Sequence, residues 1–168
     1  MQLNSLQDLF VHELKDLYSA EKQIVEALPN MVQAASSSEL QEAFSHHLEL
    51  TKTHLERVHE ILRELDINPG NAKCEAMEGL LKEGEEIINT KAKADVKAAA
   101  LITAAQRVEH YEMAGYGALR TYAEHLGYKD AAKLLQTTLD EEGEADKKLT
   151  KLAEGGWFGG GINQQAKR

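Results

Sequence analysis

Glu109 and Glu112 stand one helical turn apart in the stretch RVEHYEMAGYG, residues 107 to 117, whose other residues suit a protein core. Two carboxylates turned inward need a proton or a positive partner, because an unpaired buried charge costs several kcal/mol even after relaxation. Comparable residues recur elsewhere in the chain: Glu21, His47, His54, and Glu142 with Asp146 one turn later. Carboxylates with imidazole form a donor set that suits Fe or Mn. The chemistry open to these residues is therefore metal binding, provided that the fold brings them to one place.

The elements that must do so are helices. Only 2 of the 168 residues are proline, 42% are apolar, and Ala, Leu, Glu and Lys are frequent. Apolar residues recur at intervals of three and four, with no strict alternation. The spacing predicts a first long helix over about residues 3–35, with the stripe Phe10, Leu14, Leu17, Glu21, Ile24, Leu28, Met31. Pro29 falls inside it and is expected to kink it rather than end it. SSSE at 36–39 offers an N-cap for a second long helix, about 38–66, with the stripe Leu40, Phe44, His47, Thr51, His54, Val58, Ile61, Leu65. INPGN breaks the chain, and CEAMEGLLKEGEEIIN follows as a shorter helix of its own. The third long helix covers about 95–126, with Ile102, Ala105, Glu109, Glu112, Met113, Tyr116 and Leu119 on its stripe, and Gly127 ends it. The fourth covers about 129–153, with Leu135, Thr138, Glu142, Ala145, Leu149 and Leu152. Residues 1–154 thus form one all-α domain, a four-helix bundle. Residues 155–168 are Gly-rich and expected to be a flexible tail, with Trp157 and Phe158 free to dock on a neighbour.

Short loops make the first and last helix pairs antiparallel. The long middle connection carries a helix of its own and can return the chain along the bundle, leaving the second and third long helices parallel. Each stripe is interrupted near its middle by a polar residue within roughly 60° of the stripe centre. Glu21 and Thr51 lie ~20 Å from the first turn, and Glu112 and Glu142 lie ~20–22 Å from the second, at the opposite end. Helices of ~30 residues are ~45 Å long, so both halves of the belt meet at mid-bundle.

Four or five carboxylates in a dry core must be protonated, paired with Lys or Arg, or bound to metal. No Lys lies on the belt faces; Arg107 points away, and Arg120 is placed to neutralise one carboxylate but not five. A single inward Glu or His is more often a satisfied core residue. The coincidence on four helices favours a metal site. Tyr116 is read as either a partner of a ligand or a core residue, and Tyr18 as packing. The literal E-x-x-H match, Glu56 to His59, lies off the stripe, and His12, His46 and His110 read as surface residues.

A net charge of −9 does not suit a nucleic-acid backbone as partner. The N-terminus has neither a basic start nor an apolar leader segment, and no apolar run approaches the ~18 residues of a membrane span. A lone cysteine, Cys74, excludes an intramolecular disulfide. A reducing cytoplasm is the expected compartment.

The stretches DLYSAEKQ, CEAMEGLL, ALITAAQRVEHYEMAGYG and LDEEGEADKKLTKLA resemble the ferritin-like superfamily. The similarity is closer to its small bacterial stress-associated members of the YciF/YciE type, over about residues 3–154. That resemblance implies a ferritin-like four-helix bundle with a long crossover, a homodimer and an iron-type site. The better-known di-iron proteins of that superfamily carry Glu-x-x-His on the second and fourth helices. Here Thr51 precedes His54 by three and Ala145 follows Glu142 by three, so one Glu and one His are missing. His47 and Asp146 are the candidates to replace them, while Glu112 after Glu109 is similar to the rubrerythrins. The expected ligand set is Glu21, His47, His54, Glu109, Glu112, Glu142 and Asp146. Two Fe ions are the first expectation, with Mn and a single-ion site left open. An enzyme built on this site would be an oxidoreductase acting on oxygen or peroxide in a stress response. A non-catalytic structural or interaction protein without functional metal is the alternative. Iron storage would need a cage of many subunits, and no sequence feature shows one.

Overall fold

The computed structural model describes residues 3–156 and 159–167. Five helices carry most of the chain: α1 (Leu6–Ala34), α2 (Ser38–Glu64), α3 (Glu75–Asn89), α4 (Ala94–Leu126) and α5 (Lys129–Glu154). Their ends follow local chemistry. Ser5 caps α1 by accepting from the Asp8 amide, and Ser37 caps α2 by accepting from the Leu40 amide. Gly127 ends α4 in the left-handed region, at φ 82°, where a Cβ would be strained. α1 runs unbroken through Pro29.

α1 packs against α2 and α4, and α5 packs against α4 and α2. The two apolar clusters at the ends of the bundle show how the helices run. One joins Phe10 and Leu14 near the start of α1 to Ile61 and Leu62 near the end of α2, Leu119 late in α4 and Ala131 early in α5. The other joins Met31, Phe44, Leu101 and Leu149 from the opposite helix ends. So α2 and α4 are parallel, as the long connection predicts, and each helical hairpin is antiparallel. α3 lies across α1 and α4, where Cys74 and Met77 pack with Ala20, Ile24, Leu28 and Val108.

The segment expected to be a flexible tail is in part folded. Gly155–Gly156 (β1) pairs antiparallel with Gly159–Gly160 (β2), and Ile162–Ala166 (α6) packs on α4 and α5. Ile162 is buried in the apolar cluster of Met31 and Phe44, and that burial holds the segment down. The docking expected of Trp157 and Phe158 falls outside the described residues. No helix among the described residues is long and apolar enough to cross a membrane.

Candidate metal centre

Between the two apolar clusters lies a polar layer. Glu21, His47, Thr51, His54, Glu109, Glu112, Thr138 and Glu142 are all buried, and Glu21, Thr51, His54, Glu112, Thr138 and Glu142 are 0% exposed. α1 supplies one acid, α2 two imidazoles, α4 two acids a turn apart, and α5 one acid. The threonines are satisfied without ligands: Thr51 donates to the His47 carbonyl at 2.8 Å, and Thr138 accepts from Arg57 at 3.2 Å.

The remaining six residues form two groups that could hold a metal ion. His47, Glu109, Glu112 and Glu142 bring one atom each within 4.8 Å of one another, and so do Glu21, His54 and Glu142. Glu142 is common to both. Its carboxylate lies 2.7 Å from His54 Nδ1 through Oε1 and 3.9 Å from His47 Nε2 through Oε2. His47 Nε2 is also 3.3 Å from Glu109 Oε1.

Proximity here is not the same as hydrogen bonding. Ten buried side-chain nitrogen or oxygen atoms among the described residues lack an aligned hydrogen-bond partner, and nine belong to these six residues. They include both oxygens of Glu112 and of Glu142, both ring nitrogens of His47, and His54 Nδ1. His54 Nδ1 and Glu142 Oε1 are close but out of line with each other, as expected of ligands whose lone pairs converge on a third atom. Buried polar groups are ordinarily hydrogen-bonded, so this concentration of exceptions fits a cation. The donor set, four carboxylates and two imidazoles, suits Fe or Mn.

Electrostatics divides the belt. Burial pushes the Glu21 carboxyl up to about 8, against the pull of His54. Burial, and then the Glu142 charge, hold Glu109 and Glu112 well above the usual carboxylate range. For Glu142 burial also favours the neutral form, but His54 and His47 outweigh it and hold the carboxyl below its ordinary value. His47 is pushed down by burial. Burial disfavours charge on His54, yet contact with Glu142 outweighs it and the imidazole is raised. Without a cation the layer is thus a largely protonated set of acids around one ion pair.

Further contacts hold the candidate ligands in place. Tyr116, on α4 and buried, donates to Glu21 Oε1, so it partners a candidate ligand as well as filling the core. His54 Nε2 lies 2.9 Å from Glu141, which in turn is held by Arg57 through a two-pronged pair, with Nη2 at 3.1 Å from Oε1. A carboxylate on the far nitrogen of a ligating histidine fixes its tautomer and ring orientation. Sequence reasoning missed Glu141 and Arg57. Glu141 adjoins Glu142 but sits about 100° around the helix, on the side facing α2. The signal was its register opposite Arg57, visible only once α2 and α5 are known to be neighbours.

Asp146 is placed apart from both groups. Its carboxylate accepts from Gln106 Nε2 at 3.0 Å and lies 3.5 Å from His110 Nδ1, with the side chain 19% exposed. One turn beyond Glu142 carries it toward the α4 surface instead of the belt. Arg120, on the α4 stripe, pairs with Glu124 at 3.0 Å and does not serve as the cation of the layer. Arg107 pairs with Glu83 of α3 at the surface.

The family model of a domain of unknown function, DUF892, matches residues 5–167. Protein YciF of Escherichia coli (strain K12) is 49% identical over 154 residues, which cover 91% of this chain and 93% of that protein. The crystal structure of that protein, described as a stress protein, superposes with a TM-score of 0.87 at 48% identity, covering 89% of this chain and 95% of the other. YcfI of Rhodopseudomonas palustris, provisionally described as a structural protein, gives a TM-score of 0.86 at 39% identity, covering 90% and 97%. With the match spanning nearly the whole chain, the protein belongs to the DUF892 family.

Proposed function

We propose that the chain is a ferritin-like metal-binding bundle protein that holds two Fe or Mn ions at mid-bundle and acts in a stress response. The observation that carries this reading is the single buried carboxylate, Glu142, common to two ligand groups whose other residues each carry at least one buried atom without an aligned partner. Glu142 would bridge, with Glu21 and His54 on one side and His47, Glu109 and Glu112 on the other. Bound Fe or Mn would supply redox chemistry toward oxygen or peroxide. The chain's own residues would orient the donors, through Tyr116 on Glu21 and Arg57–Glu141 on His54. The stress description of the E. coli relative supports the physiological setting. A cytoplasmic homodimer is the assembly we infer.

The test is elemental analysis of protein purified without an affinity tag, after anaerobic Fe(II) loading, beside Glu109→Ala/Glu142→Ala. One or two Fe or Mn per chain, lost in the variant while helicity is kept, is the expected result. Metal well below one per chain in both would sink the reading. A structural role without functional metal would then lead, in keeping with the description of the R. palustris relative.

A further inference from the structure

Gly84 sits in the interior of α3, where glycine is disfavoured relative to alanine. No positive φ requires it, and no atom lies within 4 Å of where its Cβ would stand. Yet Gly84 is buried. What surrounds it is space: a cavity of about 1150 Å³ to which α1, α2, α3, α4 and α5 all contribute. Gly84 and Leu81 line it beneath α3, Leu28 and Val108 line it between α1 and α4, and His47 and Glu109 line it at the polar layer.

Three observations give this cavity a purpose. Its volume is at or above the ~300–1,000 Å³ of ordinary small-molecule pockets, far more than oxygen or peroxide would occupy. Its rim carries exposed charges of both signs, among them Glu26, Lys82, Glu85 and Lys148, whereas its buried wall is apolar except at His47 and Glu109. Those polar groups are unpartnered: both ring nitrogens of His47 and Oε2 of Glu109, on side chains only 7% and 2% exposed. His47 is also the most exposed of the eight buried polar residues, so the cavity meets the layer where the layer is most accessible.

We propose that this cavity is the organic-ligand pocket of the centre, taking an elongated apolar molecule whose one uncharged polar end, a hydroxyl or carbonyl oxygen, reaches His47 and Glu109. In the metal-free protein no lining Lys or Arg is buried beside His47 and Glu109 to pair a carboxylate end: Lys82 and Lys148 are exposed, and Lys97 donates to the Ile88 carbonyl. The pocket is built by the chain itself; only its assignment as the substrate pocket of a metal centre rests on the function proposed above. Gly84 leaves the far end open for the aliphatic part.

The experiment is calorimetric titration of 1-octanol, and of octanoate, into chelator-treated and anaerobically Fe(II)-loaded protein. The Gly84→Phe and Gly84→Leu variants are measured alongside, with thermal unfolding and metal content in the same samples. One octanol per chain is expected in the parent, with octanoate weaker in the chelator-treated protein, where no cation stands at the polar end. Affinity should fall by about tenfold or more in the variants, as the new side chain displaces roughly two methylenes of ligand. Both variants should remain folded, because they add side chain to open space and remove a helix-interior glycine. Equal octanol binding in parent and folded variants, no octanol binding in either metal state, or a preference for octanoate in the chelator-treated protein would overturn the proposal. Metal without octanol binding removes the pocket alone, and octanol binding without metal removes the metal centre alone.

Discussion

Stripped of metal by a chelator, the protein should be less stable at pH 8 than at pH 6.5. Glu21 is 0% exposed, and burial holds its carboxyl at about 8 against an ordinary 4.5. The folded chain therefore keeps a proton that the unfolded chain releases above pH 4.5. Stability from a raised pKa is fully present below the unfolded value and is lost as pH rises through the folded one. Glu109 and Glu112, raised by burial, act in the same sense. For His54 burial disfavours charge, but Glu142 outweighs it; the raised imidazole gives stability that starts to fade above 6.5. His47, lowered by burial, acts oppositely, but only up to 6.5, where the unfolded imidazole loses its own proton. Glu142 is lowered, so its contribution is lost only as pH falls below 4.5. The window from 6.5 to 8 is where these effects agree. At about 1.4 kcal/mol per pH unit, Glu21 alone removes about 2 kcal/mol across it. Urea unfolding followed by circular dichroism in excess chelator measures this directly, with Glu21→Gln as the control that cannot ionise. The variant should lose about 2 kcal/mol less than the parent between the two pH values. Metal-loaded protein should show the opposite slope, because the donors must shed protons to bind. A chelated parent as stable at pH 8 as at pH 6.5, or a Glu21→Gln variant with the parent's full loss, would refute the reasoning.

Two further outcomes probe the ligand geometry. Glu142→Gln should lose both ions, whereas Glu21→Gln should lose one, since His47, Glu109, Glu112 and Glu142 still stand together; plasma mass spectrometry reads the difference, and equal loss would show that Glu142 is not shared. Arg57→Ala should weaken metal binding by roughly 10–100-fold by freeing Glu141, which orients His54. Arg57→Lys should recover only part of it, because an ammonium cannot form the two-pronged pair. Competition against a chelator of calibrated affinity measures both, and an affinity unmoved by Arg57→Ala would dispose of the Glu141 relay.

Helical periodicity alone exposes most of this arrangement, because a helix buries one face and long helices pack with few alternatives. Glu21, His47, Thr51, His54, Glu109, Glu112 and Glu142 each read as inward from stripe position, and each is buried. Height alone brings them to one level, since the short loops fix where each hairpin turns. What periodicity cannot supply is the angular detail between helices. Asp146 shares a side with Glu142, but one further turn places it beside Gln106 and His110. Glu141 lies about 100° from Glu142 around α5 and becomes a partner of His54 only because α2 is its neighbour. Arg120 lies on the inner stripe of α4, yet its long side chain turns back along its own helix to Glu124. The folded tail is hidden for a different reason. Its glycine content reads as flexibility, and the one residue that anchors α6, Ile162, gains its burial from helices far away in sequence.

The layer's position explains how one chain can carry it. A belt of acids is costly wherever it is buried, and four helices would splay if it lay at a bundle end with packing on one side only. Here an apolar cluster closes each side of it. Phe10, Leu14, Ile61 and Leu119 hold one end, and Met31, Phe44, Leu101 and Leu149 hold the other. Each cluster takes residues from all four long helices, so the spacing of the belt is set by packing outside it. The fold therefore need not be made by the cation. The belt residues are held apart by hydrocarbon packing on both sides, and what the proposed ion would relieve is the protonation of acids already in place. Were the proposed ion to bind, Glu21, Glu109 and Glu112 would have to give up protons that burial favours, whereas Glu142, held below its ordinary value by His54 and His47 against burial, would enter already ionised.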